Sequence, residues 1–214
     1  MWSVMIAAAA VNAAAPVQST QAAFDAATRA GEEDRCEEAV TAFDALAKLP
    51  AAKKNAVFAA AIAVRRGSCL VWLSRHDEAE RDLRAGLLVL AGRPAEFGAE
   101  ARVGYIMLAK LALRRFDYGA GIDAAERALA LSSDHARAAP LWLLATFRRF
   151  DGDGAAVRDA AEALRLTQAK PGVTKPEIAT AQTLAGRALL AANRTAEGNA
   201  MLKQALASSG GLSE

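Results

Sequence analysis

Residues able to do acid–base or nucleophilic chemistry are few in this sequence. There are two histidines, His76 and His135, and neither has a suitable catalytic partner nearby in the sequence. Both lie in segments that we interpret as a turn or a linker, where a solvated polar residue is usual. The HExxH, GxSxG, glycine-rich phosphate-loop and paired CxxC motifs do not occur. We therefore expect no catalytic residue, no bound cofactor and no metal ligand.

One acidic segment, DGDGAAVRDAAE, comes close to the pattern of a calcium-binding loop. Its fifth place is Ala155, and Ala156 stands where the loop needs a glycine for its sharp turn. We interpret the segment as a turn between two helices, with acidic residues favouring the positive end of the next helix. The four acidic residues, at the first, third, ninth and last places of the loop, are Asp151, Asp153, Asp159 and Glu162.

The charge balance and the composition limit the classes of protein to which the chain can belong. Its 26 basic residues face 24 acidic ones, so it lacks the basic excess with which nucleic-acid-binding proteins displace counterions. Alanine is abundant and strand-forming residues are sparse, which predicts helix nearly throughout and no sheet. A length of 214 residues fits one substantial domain.

The N-terminal segment is apolar, and its first charged residue is Asp25. Residues 4–15 form an apolar run that is too short to span a bilayer but fits a secretory signal peptide. No basic residue precedes this run, and the alternative is an alanine-rich first helix of a cytoplasmic protein. We expect residues 1–19 to be the signal peptide of a bacterial protein that becomes periplasmic or secreted, without stable membrane insertion after processing.

A pattern that occurs five times organises the rest of the chain. Each copy has a small residue in a first helix, a second small residue 12 positions later, an apolar residue 4 further on, and a small residue 3 beyond that. Two antiparallel helices that pack closely need small side chains where they cross, because a large one would hold the axes apart. Each copy also has a short polar turn, so the pattern predicts five helical hairpins. Its positions are Ala27, Ala39, Phe43, Leu46; Gly67, Ala79, Leu83, Gly86; Ala109, Gly121, Ala125, Ala128; Leu144, Ala156, Ala160, Ala163; and Gly186, Gly198, Leu202, Ala205.

The pattern resembles the tetratricopeptide repeat family, whose helical hairpins of about 34 residues carry a small residue in the first helix and Ala, aromatic and Ala in the second. The segments AGIDAAERALAL and EEAVTAFDALAKLP carry the resemblance best. Successive copies are 40, 42, 35 and 42 residues apart, so they are degenerate repeats, and related helical-hairpin solenoids remain an alternative. The resemblance implies an all-α helical-hairpin solenoid, a right-handed superhelix of about five hairpins over residues 20–208, followed by a flexible tail at 209–214.

The two cysteines fall on helices that this arrangement makes antiparallel neighbours. Cys36 starts the second helix of copy one, and Cys69 lies toward the end of the first helix of copy two. They are nearly equidistant from the turn at residues 50–53, so they can face each other. One outcome is a disulfide that closes a loop of about 33 residues in an oxidising compartment, worth about 3 to 4 kcal/mol in the chain-entropy model. The other is two separate buried thiols that pack as small apolar residues.

The resemblance implies a non-catalytic scaffold that binds a protein or an extended peptide. In this family the first helices line a concave groove, and the residues two before, one after and five after each small position should face it. From the second copy onward these residues include five cations and no acid, with two Trp and one Met, which suits an acidic peptide bearing an aromatic or aliphatic side chain. The alternative is a merely solvated face with the Trp residues turned into the core. We call the predicted groove residues the first-helix stripe: Arg65, Ser68, Trp72, Met107, Lys110, Arg114, Trp142, Arg149 and Arg187.

Two other functions compete with the scaffold. The first is a helical recognition region of a larger enzyme, because repeats of this family occur joined to caspase-like (CHAT-type) peptidase domains. The second is an α-helical enzyme whose site is assembled from dispersed residues, for which no catalytic constellation emerges.

Overall fold

The computed structural model describes residues 19–150 and 154–209, and these residues form helices joined by short turns, with no strand among them. The predicted signal peptide and C-terminal tail therefore lie outside the described residues, apart from Ser19 and Ser209 at their inner ends. The helices are α1 (19–32), α2 (Cys36–Lys48), α3 (Pro50–Lys54), α4 (Ala56–Trp72), α5 (His76–Leu90), α6 (Pro94–Arg114), α7 (Tyr118–Ala130), α8 (Ala138–Phe150), α9 (Ala155–Gln168), α10 (Lys175–Ala191) and α11 (Thr195–Ser208).

Five pairs of these helices are the hairpins that the repeated pattern predicts: α1 with α2, α4 with α5, α6 with α7, α8 with α9, and α10 with α11. The predicted all-α helical-hairpin fold is confirmed. The sequence did not predict α3, a five-residue helix between the first two hairpins. Pro50 begins it, and Asn55 ends it and caps α4 by accepting hydrogen bonds of 3.1 Å from the backbone N–H groups of Val57 and Phe58.

The small positions lie where the paired helices cross. Of the twenty positions in the pattern, all are buried except Leu202, which is partly buried. Gly86 shows why size matters, because a Cβ added there would lie 2.6 Å from Cγ2 of Val64 and 2.7 Å from the carbonyl oxygen of Ala60. A Cβ at Gly121 would lie 2.3 Å from the ring of Phe147. The pattern therefore sets how closely the helices approach.

Four of the hairpin turns share one backbone geometry. The second residue after the first helix has a positive φ of 58 to 62°, and the N–H of the next residue bonds to the carbonyl oxygen five residues back. This is the Schellman ending of a helix, which leaves the chain pointing back along its own axis. In three of these turns the next residue is an arginine paired with a glutamate three positions on: Arg35 with Glu38, Arg75 with Glu78, and Arg194 with Glu197. The left-handed residues are Asp34, Ser74, Phe116 and Asn193.

The helices divide into two compact units, the first ending at Arg93 and the second beginning at Pro94. In unit 1, α2 packs against α4 beside the hairpin α4–α5. In unit 2, α7 packs against α8 and α9 packs against α10, so that three consecutive hairpins lie side by side. The core of unit 2 is centred on the fully buried Phe147, which is surrounded by residues of α6, α7 and α8.

Candidate functional site

Three residues of the first-helix stripe in unit 2 line a cavity of about 350 Å³. Trp142 and Arg149 lie seven residues apart on α8, and Arg187 lies on α10, so the structure brings these three predicted residues together. Residues seven apart fall on one face of a helix, two turns from each other, which explains how spacing alone found them. We call this space the Arg149 cavity. Its other lining residues are Leu113, Thr146, Phe150, Thr180, Thr183 and Leu184.

The Arg149 cavity is electropositive. Burial lowers the pKa of the Arg149 guanidinium, and the positive charge of Arg187 lowers it further. The Nε atom of Arg149 is buried and has no hydrogen-bond partner among the described residues. Among the described residues that line the cavity there is no aspartate or glutamate. A desolvated cation without a facing carboxylate favours binding of an anionic group.

Aromatic rings hold Arg149 in place. Its guanidinium carbon lies 4.2 Å from the centre of the Phe150 ring, a cation–π contact. Phe150 in turn stacks on Tyr118, with ring centres 5.5 Å apart and an interplanar angle of 4°. On the other side of the cavity, the hydroxyls of Thr180 and Thr183 donate to carbonyl oxygens of their own helix at 2.9 and 2.8 Å. The donors best placed to meet a ligand are therefore the guanidinium groups.

Trp142 belongs both to the core and to the surface. It is partly buried, packs against two of the core clusters of unit 2, and also lines the Arg149 cavity. It lines a second cavity of about 540 Å³ near the start of α10 as well. The predicted groove position of Trp142 and the alternative, a ring packed into the core, are therefore both partly correct.

The α6 portion of the stripe continues the positive charge within unit 2. Lys110 is partly buried, and burial followed by the nearby charge of Arg114 lowers its pKa. Arg114 itself is exposed at the end of α6. Met107 is partly buried and packs against the Phe147 core.

In unit 1 the cation of the stripe is paired with a carboxylate. Nη1 of Arg65 lies 3.5 Å from a carboxylate oxygen of Glu32 on α1. The hydroxyl of Ser68 donates to the carbonyl oxygen of Val64 at 2.8 Å. Trp72 stands out with 56% of its surface exposed. The other four cations of the stripe, Lys110, Arg114, Arg149 and Arg187, lie in unit 2.

One position that the stripe spacing places toward the groove, Ala145, is fully buried, because α8 and α10 pack against each other there. Another, Leu184, is only 5% exposed but still lines the Arg149 cavity. Sequence reasoning did not identify Phe150, which ends α8 and lines the Arg149 cavity. The positions of the pattern in copy four could have indicated this residue, because they place Phe150 next to Arg149 in the last turn of a first helix.

The other candidate sites are structural. The carboxylate of Asp159 lies 2.6 Å from the guanidinium of Arg148, and that of Glu162 lies 2.7 Å from Arg165. Asp151 and Asp153 lie outside the described residues. Within residues 19–150 and 154–209 no group of three or more His, Cys, Asp or Glu side chains could hold a metal ion. His76 begins α5, and His135 is exposed in a 3₁₀ turn at Asp134–Arg137.

The same described ranges contain no helix long and apolar enough to cross a bilayer.

The comparisons with known proteins rest on structure. No family model matches the chain, and no curated protein matches it by sequence. The crystal structure of a MamA protein is similar with a TM-score of 0.60 and 17% identity, covering 89% of this chain and 92% of that one. The crystal structure of TPR-like repeats of a putative kinesin light chain from Podosopora anserina is similar with a TM-score of 0.66 and 17% identity, covering 88% of this chain and 94% of that one. This chain thus has the helical-hairpin repeat fold of the tetratricopeptide type.

Proposed function

We propose that this protein is a non-catalytic scaffold that binds an extended acidic segment of a protein partner, with the Arg149 cavity as the main anchor. One observation carries this proposal. Two arginines, Arg149 and Arg187, share a cavity with the rings of Trp142 and Phe150, and the described residues that line it include no acidic side chain.

A carboxylate fits the polar part of this cavity. Guanidinium groups bind carboxylates through two parallel N–H···O bonds, and such charge-assisted bonds are stronger than neutral ones. A ligand carboxylate would also offset the like-charge repulsion between Arg149 and Arg187, which contributes to the lowered pKa of Arg149. The charge of the cavity therefore favours a partner segment with an acidic residue at this position.

An apolar side chain fits the rest of the cavity. Trp142, Leu113 and Leu184 supply apolar surface beside the two arginines. Buried aromatic residues and arginines carry much of the binding energy at protein interfaces, especially when they lie together. We therefore propose a partner segment in which an acidic residue lies next to an aromatic or aliphatic one.

The fold supports a binding role. Stacked helical hairpins present extended surfaces made of successive first helices, and proteins of this architecture use such surfaces for binding. In this chain α6, α8 and α10 each contribute residues to the cavity. We further propose that residues 1–19 are a signal peptide and that the scaffold works in the periplasm or outside the cell. The apolar run at residues 4–15 supports this location.

The direct test is binding of a panel of short, fluorescently labelled peptides measured by polarisation. The panel contains peptides with neighbouring acidic and aromatic residues, the same peptides with Gln and Asn replacing the acids, and acidic peptides without aromatic residues. We expect the first set to bind most tightly and the amide versions to bind at least about tenfold more weakly.

Matched charge reversals locate the site. Arg149→Glu should weaken binding of the acidic–aromatic peptides by at least about tenfold, because it places a carboxylate in the anchor. Arg158→Glu makes the same charge change on the exposed side of α9, in a second helix, and should leave binding nearly unchanged. Equal losses from the two variants, or equal binding of acidic and amide peptides, would contradict the proposal.

A further inference from the structure

Unit 1 contains a pair of cysteines that the proposed binding function does not use. Cys36 is the first residue of α2, and Cys69 lies in the last turn of α4. Both thiols are buried, with 6% and 4% of their surfaces exposed. Both are free thiols on helices that pack against each other, and the Cys36 thiol lies close enough to contribute to the raised pKa of Cys69. The structure contains two free, buried thiols, and the disulfide that the sequence allows stays a prediction.

A glycine on α1 makes room for this pair. A Cβ placed at Gly31 would lie 2.8 Å from the sulfur of Cys69. The sulfur therefore occupies the space that a larger side chain at position 31 would fill. The same Cβ would lie 3.7 Å from Cβ of Ala39 on α2. Cys69 therefore reaches from α4 into the junction of α1 and α2, the place where α2 begins with Cys36.

The surroundings argue against metal binding and nucleophilic catalysis by these thiols. The described residues provide no third His, Cys, Asp or Glu that would complete a metal site here. Burial and the contact with Cys36 raise the pKa of the Cys69 thiol to about 12, so its reactive thiolate form is scarce at neutral pH. The reaction that the positions of the two thiols still favour is formation of a disulfide between them.

We propose that Cys36 and Cys69 are a dithiol that is oxidised to an intramolecular disulfide, which clasps the start of α2 to the end of α4. The oxidant is a disulfide, either of a dithiol oxidoreductase or of a small thiol such as glutathione. The Cys36 thiolate attacks one sulfur of the oxidant, giving a mixed disulfide and one released thiolate. The Cys69 thiolate then attacks the Cys36 sulfur and releases the second. The protein loses two protons and two electrons, and the oxidant is reduced to two thiols.

The position of each residue sets the order of these steps. Cys36 follows the exposed turn at residues 33–35, so fraying of the first turn of α2 exposes it. Cys69 is held inside the packing of α1, α2 and α4, and its raised pKa makes it the poorer first nucleophile. Once the mixed disulfide forms at Cys36, the neighbouring Cys69 needs no further diffusion to complete the bond.

The test uses the full chain equilibrated in a glutathione redox buffer, quenched in acid, alkylated in denaturant and weighed by mass spectrometry. We expect the oxidised protein to lose the mass of two hydrogen atoms, to take up no alkylating agent, and to give a cross-linked Cys36–Cys69 peptide after proteolysis. The Cys69→Ser variant should instead accumulate a glutathione adduct on Cys36. Two alkylated thiols in strongly oxidising buffer, even after unfolding and refolding, would overturn the proposal, as would disulfide-linked dimers as the main product.

Thermal unfolding supplies a readout that is independent of thiol chemistry. Closing a loop of about 33 residues should raise the Tm of the oxidised protein by roughly 7 to 15 °C over the reduced protein. The double variant Cys36→Ser, Cys69→Ser should melt at the same temperature in both buffers. If the oxidised protein contains the cross-link but melts no higher than the reduced form, the claim that the disulfide stabilises unit 1 is wrong.

Discussion

At the scale of single residues, side-chain volume at a few positions determines whether the hairpins close. Gly86 and Gly121 face atoms that leave no room for a Cβ, and the alanines of the pattern are buried beside them. Interiors pack at crystal-like density, so an added methyl group must displace its neighbours. Gly119, in the first turn of α7, has nothing within 4 Å of an added Cβ. These two kinds of glycine allow a controlled comparison.

Gly86→Ala should destabilise unit 1, and Gly119→Ala should not destabilise unit 2. In the first variant the new methyl group meets Val64 and the backbone of Ala60, which costs about 1 to 3 kcal/mol and outweighs the gain of up to about 1 kcal/mol in helix propensity. In the second variant only the propensity gain applies. Thermal melts followed by circular dichroism measure both effects, and a higher Tm for Gly86→Ala would refute the close-approach argument.

The sequence predicted the small residues well and the turn residues poorly. Small residues recur because only a small side chain fits where two helices cross closely. Residue type therefore identifies these positions in the sequence. The left-handed turn position, by contrast, is occupied by three small polar residues, Asp34, Ser74 and Asn193, and by the aromatic Phe116. All four share a backbone conformation that the hydrogen bonds at the helix end impose. Residue type alone therefore does not predict which residue adopts the positive φ.

At the scale of helices, two arginines join neighbouring hairpins in the same way. Arg66 on α4 pairs with Asp44 on α2 and with Asp82 on α5, each at 2.8 Å. Arg148 on α8 pairs with Glu126 on α7 and Asp159 on α9, at 2.8 and 2.6 Å. Each arginine thus bridges its hairpin partner and the second helix of the preceding hairpin.

These bridges are partly desolvated and therefore differ from surface ion pairs. The side chains of Arg148 and Asp159 are only 21% and 15% exposed. Burial likewise raises the pKa of the Asp82 carboxyl, which shows that its charged form has lost solvation that Arg66 only partly replaces. Removing one partner would leave the other charge poorly solvated, which is more costly than losing an exposed pair.

Arg148→Ala should lower the free energy of unfolding by about 1.5 to 3 kcal/mol, because it leaves Asp159 without its cation. The matched control is Arg165→Ala, which removes an arginine from α9 whose pairing with Glu162 is exposed, with the arginine 65% accessible. That change should stay within about 0.5 kcal/mol. Urea unfolding measures both variants, and equal effects would show that Arg148 does not link the hairpins.

The helix boundaries show what sequence patterns can resolve at this scale. The hairpin turns were predicted because each is polar and follows a small residue at a fixed distance. The helix α3 was not, because residues 50–53 were interpreted as a turn. Its five residues are too few to show a helical period, and Asn55 separates it from α4 through capping bonds that only the structure reveals.

At the scale of the whole molecule, two units of stacked hairpins carry the candidate site and the cysteine pair separately. The Arg149 cavity is formed by first helices of unit 2, whereas Cys36 and Cys69 lie in unit 1. In repeat proteins each hairpin is stabilised mainly by its neighbours, so a clasp in one unit need not alter a site in the other. The two proposals can therefore be tested independently in the full chain.

The spacing of first-helix residues predicted part of the candidate site. It identified Trp142, Arg149 and Arg187 because a seven-residue interval and equivalent positions in successive copies fall on one face. It did not identify the pairing of Arg65 with Glu32, because that contact depends on how α1 and α4 pack. Nor did it identify the contribution of Phe150, whose ring position depends on where α8 ends.

The measurement that tests the central claim most directly is a charge-swap cycle at the Arg149 cavity. Wild-type protein and the Arg149→Glu, Arg187→Glu variant are each titrated with the best acidic–aromatic peptide of the panel and with its counterpart in which lysine replaces the acid. The account predicts that wild type prefers the acidic peptide, that the variant prefers the lysine peptide, and that the coupling energy is at least about 1.5 kcal/mol. A variant that still prefers the acidic peptide, or that loses affinity for both peptides equally, would contradict the account.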